Sequence, residues 1–273
     1  METVYAPNGV VYLKSGLIPC THGFATRVGG ISRVRHTASL NLAFGRGDNE
    51  ATVLQNLELF GKAAGFDPQS VISLRQVHSS CVRTVTASDR GLGYYIQSDF
   101  CCDGYVTDDP RVTLGVKTAD CVPVLLCALD SGGRPFVVAA IHAGWRGTLA
   151  KIAENGVGAM IRLGVRPEQI FAAIGPAIGQ CCFEIDASLK DEFFAKFGEE
   201  VCSEFIRPSE RSPRKWHADL KRLNANLLHA CGVPAGNIDI SCACTCCNPE
   251  LFYSHRRDRE RRGTMLSVIN LTT

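Results

Sequence analysis

The chain has 273 residues, 45% of them hydrophobic and 21% charged, with a net charge of +2. Such a composition suits a soluble globular protein with a substantial core, and the near-neutral charge gives no electrostatic footprint for nucleic acid or an anionic membrane surface. No apolar run approaches a membrane span, and the first sixteen residues have neither the basic nor the apolar region of a secretion signal.

Residues 1–22 read as an extended opening, with Val10–Leu13 the first strand. Phe24–Gly30 reads as a strand running into a Gly29-Gly30 turn. Ser39–Asp48 is a polar, glycine-rich loop, and Asp48 or Asn49 can cap the helix that follows. Val53, Leu54, Leu57, Phe60 and Ala64 share one face of that helix, and Gly65 ends it. Val71–His78 reads as a strand that Val82–Val85 continues or pairs. Tyr94–Cys102 is irregular, Asp103-Gly104 reads as a turn, and Val112–Val116 as a short strand.

Two apolar runs come next, Val122–Leu129 and Pro135–Ile141, joined by the turn Asp130–Gly133. Together they are a hairpin signal. Thr148 can cap a helix reaching Leu163, with Leu149, Ile152, Ala153, Met160 and Leu163 as its apolar stripe. Ile170–Ile174 is a strand ended by Gly175-Pro176, Leu189–Phe197 a short amphipathic helix, and Arg207–Lys215 a polar surface loop with two prolines. Leu220, Leu223, Leu227, Leu228 and Cys231 mark a further helix closed by Gly232. Ile238–Ile240 and Met265–Ile269 are the last strands. Hairpins appear beside crossovers, and no repeat or linker divides the chain. The expected architecture is α+β: a single domain over residues 1–273, a layered sandwich of mixed β-sheets flanked by helices.

The central hairpin gathers the chemistry. Cys121 enters its first strand and His142 leaves its second, so in an antiparallel pair those ends are neighbours. His78 ends another predicted strand. Two imidazoles and a thiolate are a borderline-soft set that suits Zn²⁺ with a fourth position open, although histidine and free cysteine are also ordinary interior residues. In a second reading of the same atoms, His142 or His78 deprotonates Cys121 to give a nucleophile for acyl transfer. Asp120 is adjacent, but successive strand residues point to opposite faces, so it orients a histidine poorly unless the strand begins after it.

Gly144–Gly147 precedes a helix, where free N–H groups and Arg146 can form an anion pocket or simply a strand–helix turn. Trp145 can stack on a base or sugar, or pack. Arg27, Arg46, Arg75, Arg256 and Arg257 lie in or beside loops and can reach a phosphate or carboxylate; each alone also suits a solvated surface, and Arg256-Arg257-Asp258 an ion pair. Fourteen cysteines in 273 residues is about 5%, below the roughly 8–10% of disulfide scaffolds, and points to a reducing cytosol with most thiols buried as small hydrophobes. Cys242, Cys244, Cys246 and Cys247 resemble half of a metal knuckle. The other half is missing unless Cys101-Cys102 or Cys181-Cys182 folds onto it, and adjacent cysteines are awkward chelators. Plain thiols are the favoured reading there.

At this point the residues match a known family. TRVGGIS at Thr26–Ser32, SLNL at Ser39–Leu42, QVH at Gln76–His78, TADCVPV at Thr118–Val124, HAGWRG at His142–Gly147, IGPAIG at Ile174–Gly179 and FYSHRRD at Phe252–Asp258 run almost end to end. On these motifs the chain resembles the YfiH/YlmD/LACC1 family, once labelled multicopper polyphenol oxidases and now described as purine nucleoside phosphorylases with adenosine deaminase activity. The resemblance implies a YfiH-like fold, cytoplasmic residence in bacteria, and zinc bound by His78, Cys121 and His142, with Cu²⁺ an alternative ion at the same site. This chain departs from the family at His255, where SYRRD is usual, and at Arg261–Met265, where TGRM often stands.

The activity so implied is phosphorolysis of adenosine, inosine, guanosine or methylthioadenosine to free base and (methylthio)ribose 1-phosphate, with adenosine deamination beside it. The expected catalytic set is Cys121, His78, His142 and Asp120. Asp120, or Glu184, would serve as the proton shuttle that known zinc deaminases pair with a His/Cys ligand set. Arg46, Arg146, Asn41 and Trp145 are expected to touch substrate. Two alternatives stand beside it. One is a cysteine-nucleophile amide hydrolase in cell-wall precursor editing. The other is a copper-dependent polyphenol oxidase, which seven histidines serve poorly. No nucleic-acid or membrane partner is expected, and the assembly is a monomer or homodimer.

Overall fold

The computed structural model describes residues 1–210 and 212–272. In chain order, β1 (Glu2–Tyr5), β2 (Val11–Lys14) and β3 (His22–Ala25) are followed by α1 (Glu50–Ala64), β4 (Val71–Ile72), β5 (Val82–Thr84), β6 (Gly104–Thr107) and β7 (Thr113–Thr118). The hairpin β8 (Val122–Leu129) and β9 (Pro135–Ala143) leads into α2 (Trp145–Leu149), α3 (Ile152–Arg162), β10 (Ile170–Ile174) and β11 (Glu184–Asp186). The remainder comprises α4 (Ala187–Phe197), α5 (Glu199–Phe205), β12 (Ile206–Pro208), β13 (Lys215–Ala218), α6 (Leu220–Ala230), β14 (Ile238–Ile240), α7 (His255–Asp258) and β15 (Met265–Ile269).

Alternation along β8 builds two layers at once. Val124, Leu126 and Ala128 face a core shared with Val157 and Met160 of α3 and Leu223 and Leu227 of α6. Leu125 and Cys127 face the opposite way, into a core shared with Leu114, Val116 and Met265. A third core sets Val53, Leu57 and Phe60 of α1 against Leu266 and Val268 of β15. The layers therefore run helix, sheet, sheet, helix. The first sheet has the order β1-β2-β3-β15-β7-β4, the second β14-β10-β8-β9-β6-β5, and a small third sheet β11-β13-β12. Pairing is antiparallel except for β4–β7, β5–β6 and β10–β14. The mixed-sheet α+β sandwich expected from the sequence is the one observed.

Several local expectations also hold. Asn49 caps α1 by accepting from Thr52 N, and Gly65 ends it in the left-handed region. β10, β14 and β15 have the anticipated bounds. Others are corrected. Only Val71–Ile72 of the Val71–His78 run is strand, and Val82–Thr84 joins the other large sheet. Asp103-Gly104 is not a turn but the approach to β6. The helix expected from Thr148 is two helices: Gly144 caps α2, and Lys151 at φ 62° breaks the path before α3. Thr148 is instead buried, accepting from Asn224 Nδ2 at 3.0 Å. The polar loop Arg207–Lys215 contributes to β12 and β13 at its ends, and Arg211 within it lies outside the described residues. Helices α5 and α7 have too few apolar repeats to announce themselves. Among the described residues, no helix is long and apolar enough to cross a membrane.

Candidate metal centre and active-site cavity

The register of the central hairpin decides where Cys121 and His142 meet. Pro123 stands opposite His142 and Val122 opposite Ala143, so Cys121, one residue before β8, lies beside Gly144. His78 arrives from an irregular loop with φ 61°, and its Nε2 is 3.7 Å from Cys121 Sγ. The two imidazole rings sit edge to face with centroids 4.9 Å apart. One donor atom from each of His78, Cys121 and His142 lies within 4.8 Å of the others. Gly144 leaves the room for this: a Cβ there would come 2.8 Å from His78 Cδ2 and 3.1 Å from Cys121 Sγ.

A buried carboxylate that sequence reasoning missed holds the set together. Asp103 is fully buried and accepts from His142 Nδ1 at 2.9 Å. It also accepts from the backbone N–H groups of Val77, His78 and Ser79 at 3.2, 2.9 and 2.8 Å, and from Ser79 Oγ at 2.7 Å. Burial would raise this carboxyl, but the bonds from His142 and Ser79 hold it well below the usual carboxylate range. With Nδ1 engaged, His142 offers Nε2 towards Cys121. Burial would also raise the Cys121 thiol; the charge of His142 and hydrogen bonds from His142 and His78 bring it down to about 6. His142 rises to about 9 despite burial, through Cys121 and Asp103. Two imidazoles and a thiolate, with a carboxylate behind one of them, are a donor set that fits a zinc-like ion.

The centre opens into a cavity of about 570 Å³. Arg46, Arg75, Lys117 and Arg262 supply positive charge to its lining, and Phe44 and Tyr94 supply an aromatic wall. Lys117 Nζ donates to Ser73 O at 2.9 Å and lies 5.2 Å from the centre of the Tyr94 ring, and burial lowers it to about 8. Gln76 pins the irregular loop to β7 through Lys117, donating to its carbonyl at 2.8 Å and accepting from its N–H at 2.7 Å. Arg262 reaches the lining from the segment between α7 and β15, and burial lowers it.

Of the expected site residues, His78, Cys121, His142 and Arg46 line the cavity. Trp145, Arg146, Asn41 and Asp120 are absent from that lining. Arg146 is exposed, with its guanidinium 3.9 Å above the Trp145 ring, and Trp145 packs on the helix-side core. Asn41 is fully buried and spends both ends of its amide on Ala43, Asp48 and Thr264. Asp120, at φ 95°, turns away from the histidines. Its carboxylate accepts from Thr245 Oγ1 at 2.6 Å, Ser254 Oγ at 3.0 Å and Arg256 N at 2.6 Å. Glu184 sits in the small third sheet, away from the cavity lining. Arg27 is spent on the carbonyls of Ala38 and Pro249, and Arg75 Nε contacts Cys101 Sγ at 3.2 Å. Arg256 and Arg257 bind backbone carbonyls, and Arg257 also pairs with Asp258 at 2.8 Å. Asp103 escaped notice because Asp-Gly reads as a turn. The signal for it was chemical: a metal-binding histidine needs a carboxylate or carbonyl on its other ring nitrogen.

Comparison with known proteins gives a consistent set. A family model described as "Multi-copper polyphenol oxidoreductase laccase" matches residues 21–272. The chain is 35% identical over 278 residues to purine nucleoside phosphorylase YlmD of Geobacillus stearothermophilus, covering 98% of this chain and 97% of that protein. It is 36% identical over 264 residues to a purine nucleoside phosphorylase of Deinococcus radiodurans, covering 96% and 94%. It is also 34% identical over 236 residues to an adenosine deaminase from an unknown prokaryotic organism, covering 86% and 87%. Among solved structures, YlmD of Geobacillus stearothermophilus superposes with a TM-score of 0.84 at 35% identity over 97% of each chain. Bacillus licheniformis YfiH gives 0.87 at 32% identity over 98% of each.

Proposed function

The chain belongs to the multi-copper polyphenol oxidoreductase laccase family, and from that premise we propose that it is a zinc-dependent purine nucleoside phosphorylase with adenosine deaminase activity. The observation that carries the reading is the His78–Cys121–His142 centre at one wall of a positively charged cavity of about 570 Å³, a volume within the usual range for small-molecule sites. The substrates are adenosine, inosine, guanosine or methylthioadenosine together with phosphate. The names carried by its relatives support the nucleoside class.

Bound at the three donors, zinc would supply Lewis acidity towards phosphate or water at an open fourth position. The chain's own residues do the rest. Asp103 fixes the ring of His142 and the loop that carries His78. Arg46, Lys117 and Arg262 share the charge of a phosphate in the cavity, taking the part that sequence reasoning gave to Arg146. The Phe44 and Tyr94 rings offer an apolar wall to a purine. An oxygen of the positioned hydrogen phosphate bonds to C1′ as the C1′–N9 bond breaks, and the purine leaves with the proton that the phosphate gives up. The middle core joins the two large sheets and the outer two cores cover their other faces, which supports treating residues 1–273 as one domain.

A second reading draws on the same geometry. Cys121 Sγ lies against His78 Nε2 and beside the buried His142, the layout of a thiolate nucleophile for amide hydrolysis. It predicts inactivation by iodoacetamide and tolerance of chelators. The copper oxidase reading is weaker: among the described residues, the two His/Cys groups that can hold a metal contain only two histidines. The test is to incubate the purified protein with each nucleoside, with and without phosphate, and to follow base and sugar phosphate by chromatography. Phosphate-dependent base release that falls at least about 100-fold in Cys121→Ala is expected. Absence of nucleoside turnover in zinc-loaded protein would overturn the reading.

A further inference from the structure

Far in sequence from the catalytic centre, Cys181, Cys182, Cys244 and Cys247 bring their four sulfurs within 4.8 Å of one another. We propose that these four cysteines bind a structural zinc ion that clamps the loop between β10 and β11 onto the segment after β14. The Cys182–Cys247 and Cys181–Cys247 sulfurs are 3.3 and 3.6 Å apart. A tetrahedral ion with Zn–S bonds of about 2.3 Å spaces its sulfurs at about 3.8 Å, so the ion needs only a small adjustment. The missing half of the knuckle is thus Cys181-Cys182, whereas Cys102 packs against Cys81. Adjacent cysteines would point to opposite faces in a strand, but these lie in a turn, where both sulfurs reach Cys247.

The surroundings are built for a charged centre. The Gly179 N–H donates to Cys244 Sγ at 3.1 Å, as a thiolate ligand invites. Arg256 holds the Cys182 carbonyl at 2.8 Å, Arg257 holds those of Thr245 and Cys246 at 3.0 and 3.1 Å, and Asn248 holds that of Cys244 at 2.7 Å. Four thiolates and one Zn²⁺ leave a net negative charge, and Lys221, buried and bound to the Ser241 and Ala243 carbonyls, lies within electrostatic reach of Cys181 and Cys244. Four thiols without an ion would leave only weak S–H contacts in the same space.

The clamp also explains how Asp120 is held. Thr245, next to Cys244, donates to its carboxylate, and Ser254 Oγ and Arg256 N complete the cradle. Asp120 immediately precedes Cys121. The cysteine ion is therefore a positioning element for the catalytic loop and takes no part in the chemistry.

The test is a metal count by plasma mass spectrometry on protein purified anaerobically. Wild type should carry about two zinc ions per chain, Cys121→Ala about one, and Cys244→Ser about one. Cys242→Ser, an exposed thiol outside the four, should keep both. Should Cys244→Ser fail to fold, cobalt-substituted Cys121→Ala answers the same question: it should display the intense sulfur-to-cobalt absorption of a tetrathiolate. At most one zinc in wild type, lost entirely in Cys121→Ala, would overturn the proposal, as would a Cys182–Cys247 disulfide in anaerobic protein. These readouts are independent of nucleoside turnover, so the catalytic reading can fail while this one stands.

Discussion

Asp103 accepts from His142 Nδ1 and from three successive N–H groups of the loop that carries His78, so one side chain orients both histidines. Asp103→Asn keeps the shape but removes the charge and one acceptor. Metal affinity at the centre is expected to fall about 10- to 100-fold, read by chelator competition, and unchanged affinity would contradict this role. The thiol–imidazole pair sets the pH behaviour of metal-free protein. His142, raised to about 9, contributes stability that is complete below the ordinary histidine range and is lost as pH rises through about 9. Cys121, lowered to about 6, contributes stability that is complete above the ordinary thiol range and is lost as pH falls through about 6. The ion pair therefore persists between those limits. Alkylation of Cys121 in metal-stripped protein should rise with a midpoint near pH 6, and a midpoint near an unperturbed thiol's value of about 8.5 would contradict the pairing. His78, Cys121 and His142 stood out as histidines and a cysteine at predicted strand ends, the family resemblance made them a ligand set, and the fold brings one donor atom of each within 4.8 Å of the others. Asp103 and Lys117 did not stand out, because their roles come from partners distant in sequence.

At the scale of elements, the Val71–His78 run looked like a strand because of its β-branched residues. Gln76 and Asp103 instead hold most of it as an irregular loop, and that irregularity turns His78 towards Cys121. Gly144 completes the approach. Gly144→Ala should reduce metal affinity and turnover at least about tenfold with the circular dichroism unchanged, because its Cβ meets the ligands and not the core. Retention of full metal affinity would show that the neighbours yield. The helix α1 was legible down to its caps. Asn49→Ala removes its bond to Thr52 N and should cost about 1 kcal/mol, or about 2 °C in Tm, with activity preserved. The break between α2 and α3 was not legible, since Lys151 in the left-handed region carries no glycine to announce it.

Across the whole molecule, the apolar run Val122–Leu129 announced a hairpin strand; that this strand is buried on both faces is seen in the fold, and the four-layer sandwich follows from it. The order of strands did not follow, because β15 is inserted between β3 and β7, and nothing local in Met265–Ile269 names those partners. The candidate centre stands where hairpin, loop 73–81 and cavity meet, so an ion held there would tie together segments distant in the chain. Chelation should therefore lower Tm by about 5 °C or more, and calorimetry showing no shift would speak against a resident metal. The proposed reaction is attack of phosphate on C1′ of a purine nucleoside in this cavity. It is tested most directly by supplying adenosine with phosphate labelled by heavy oxygen at every position and weighing the sugar product by mass spectrometry. Ribose 1-phosphate that retains the full label is expected, and none from Cys121→Ala. Unphosphorylated ribose, or adenosine left intact by zinc-loaded protein, would contradict it.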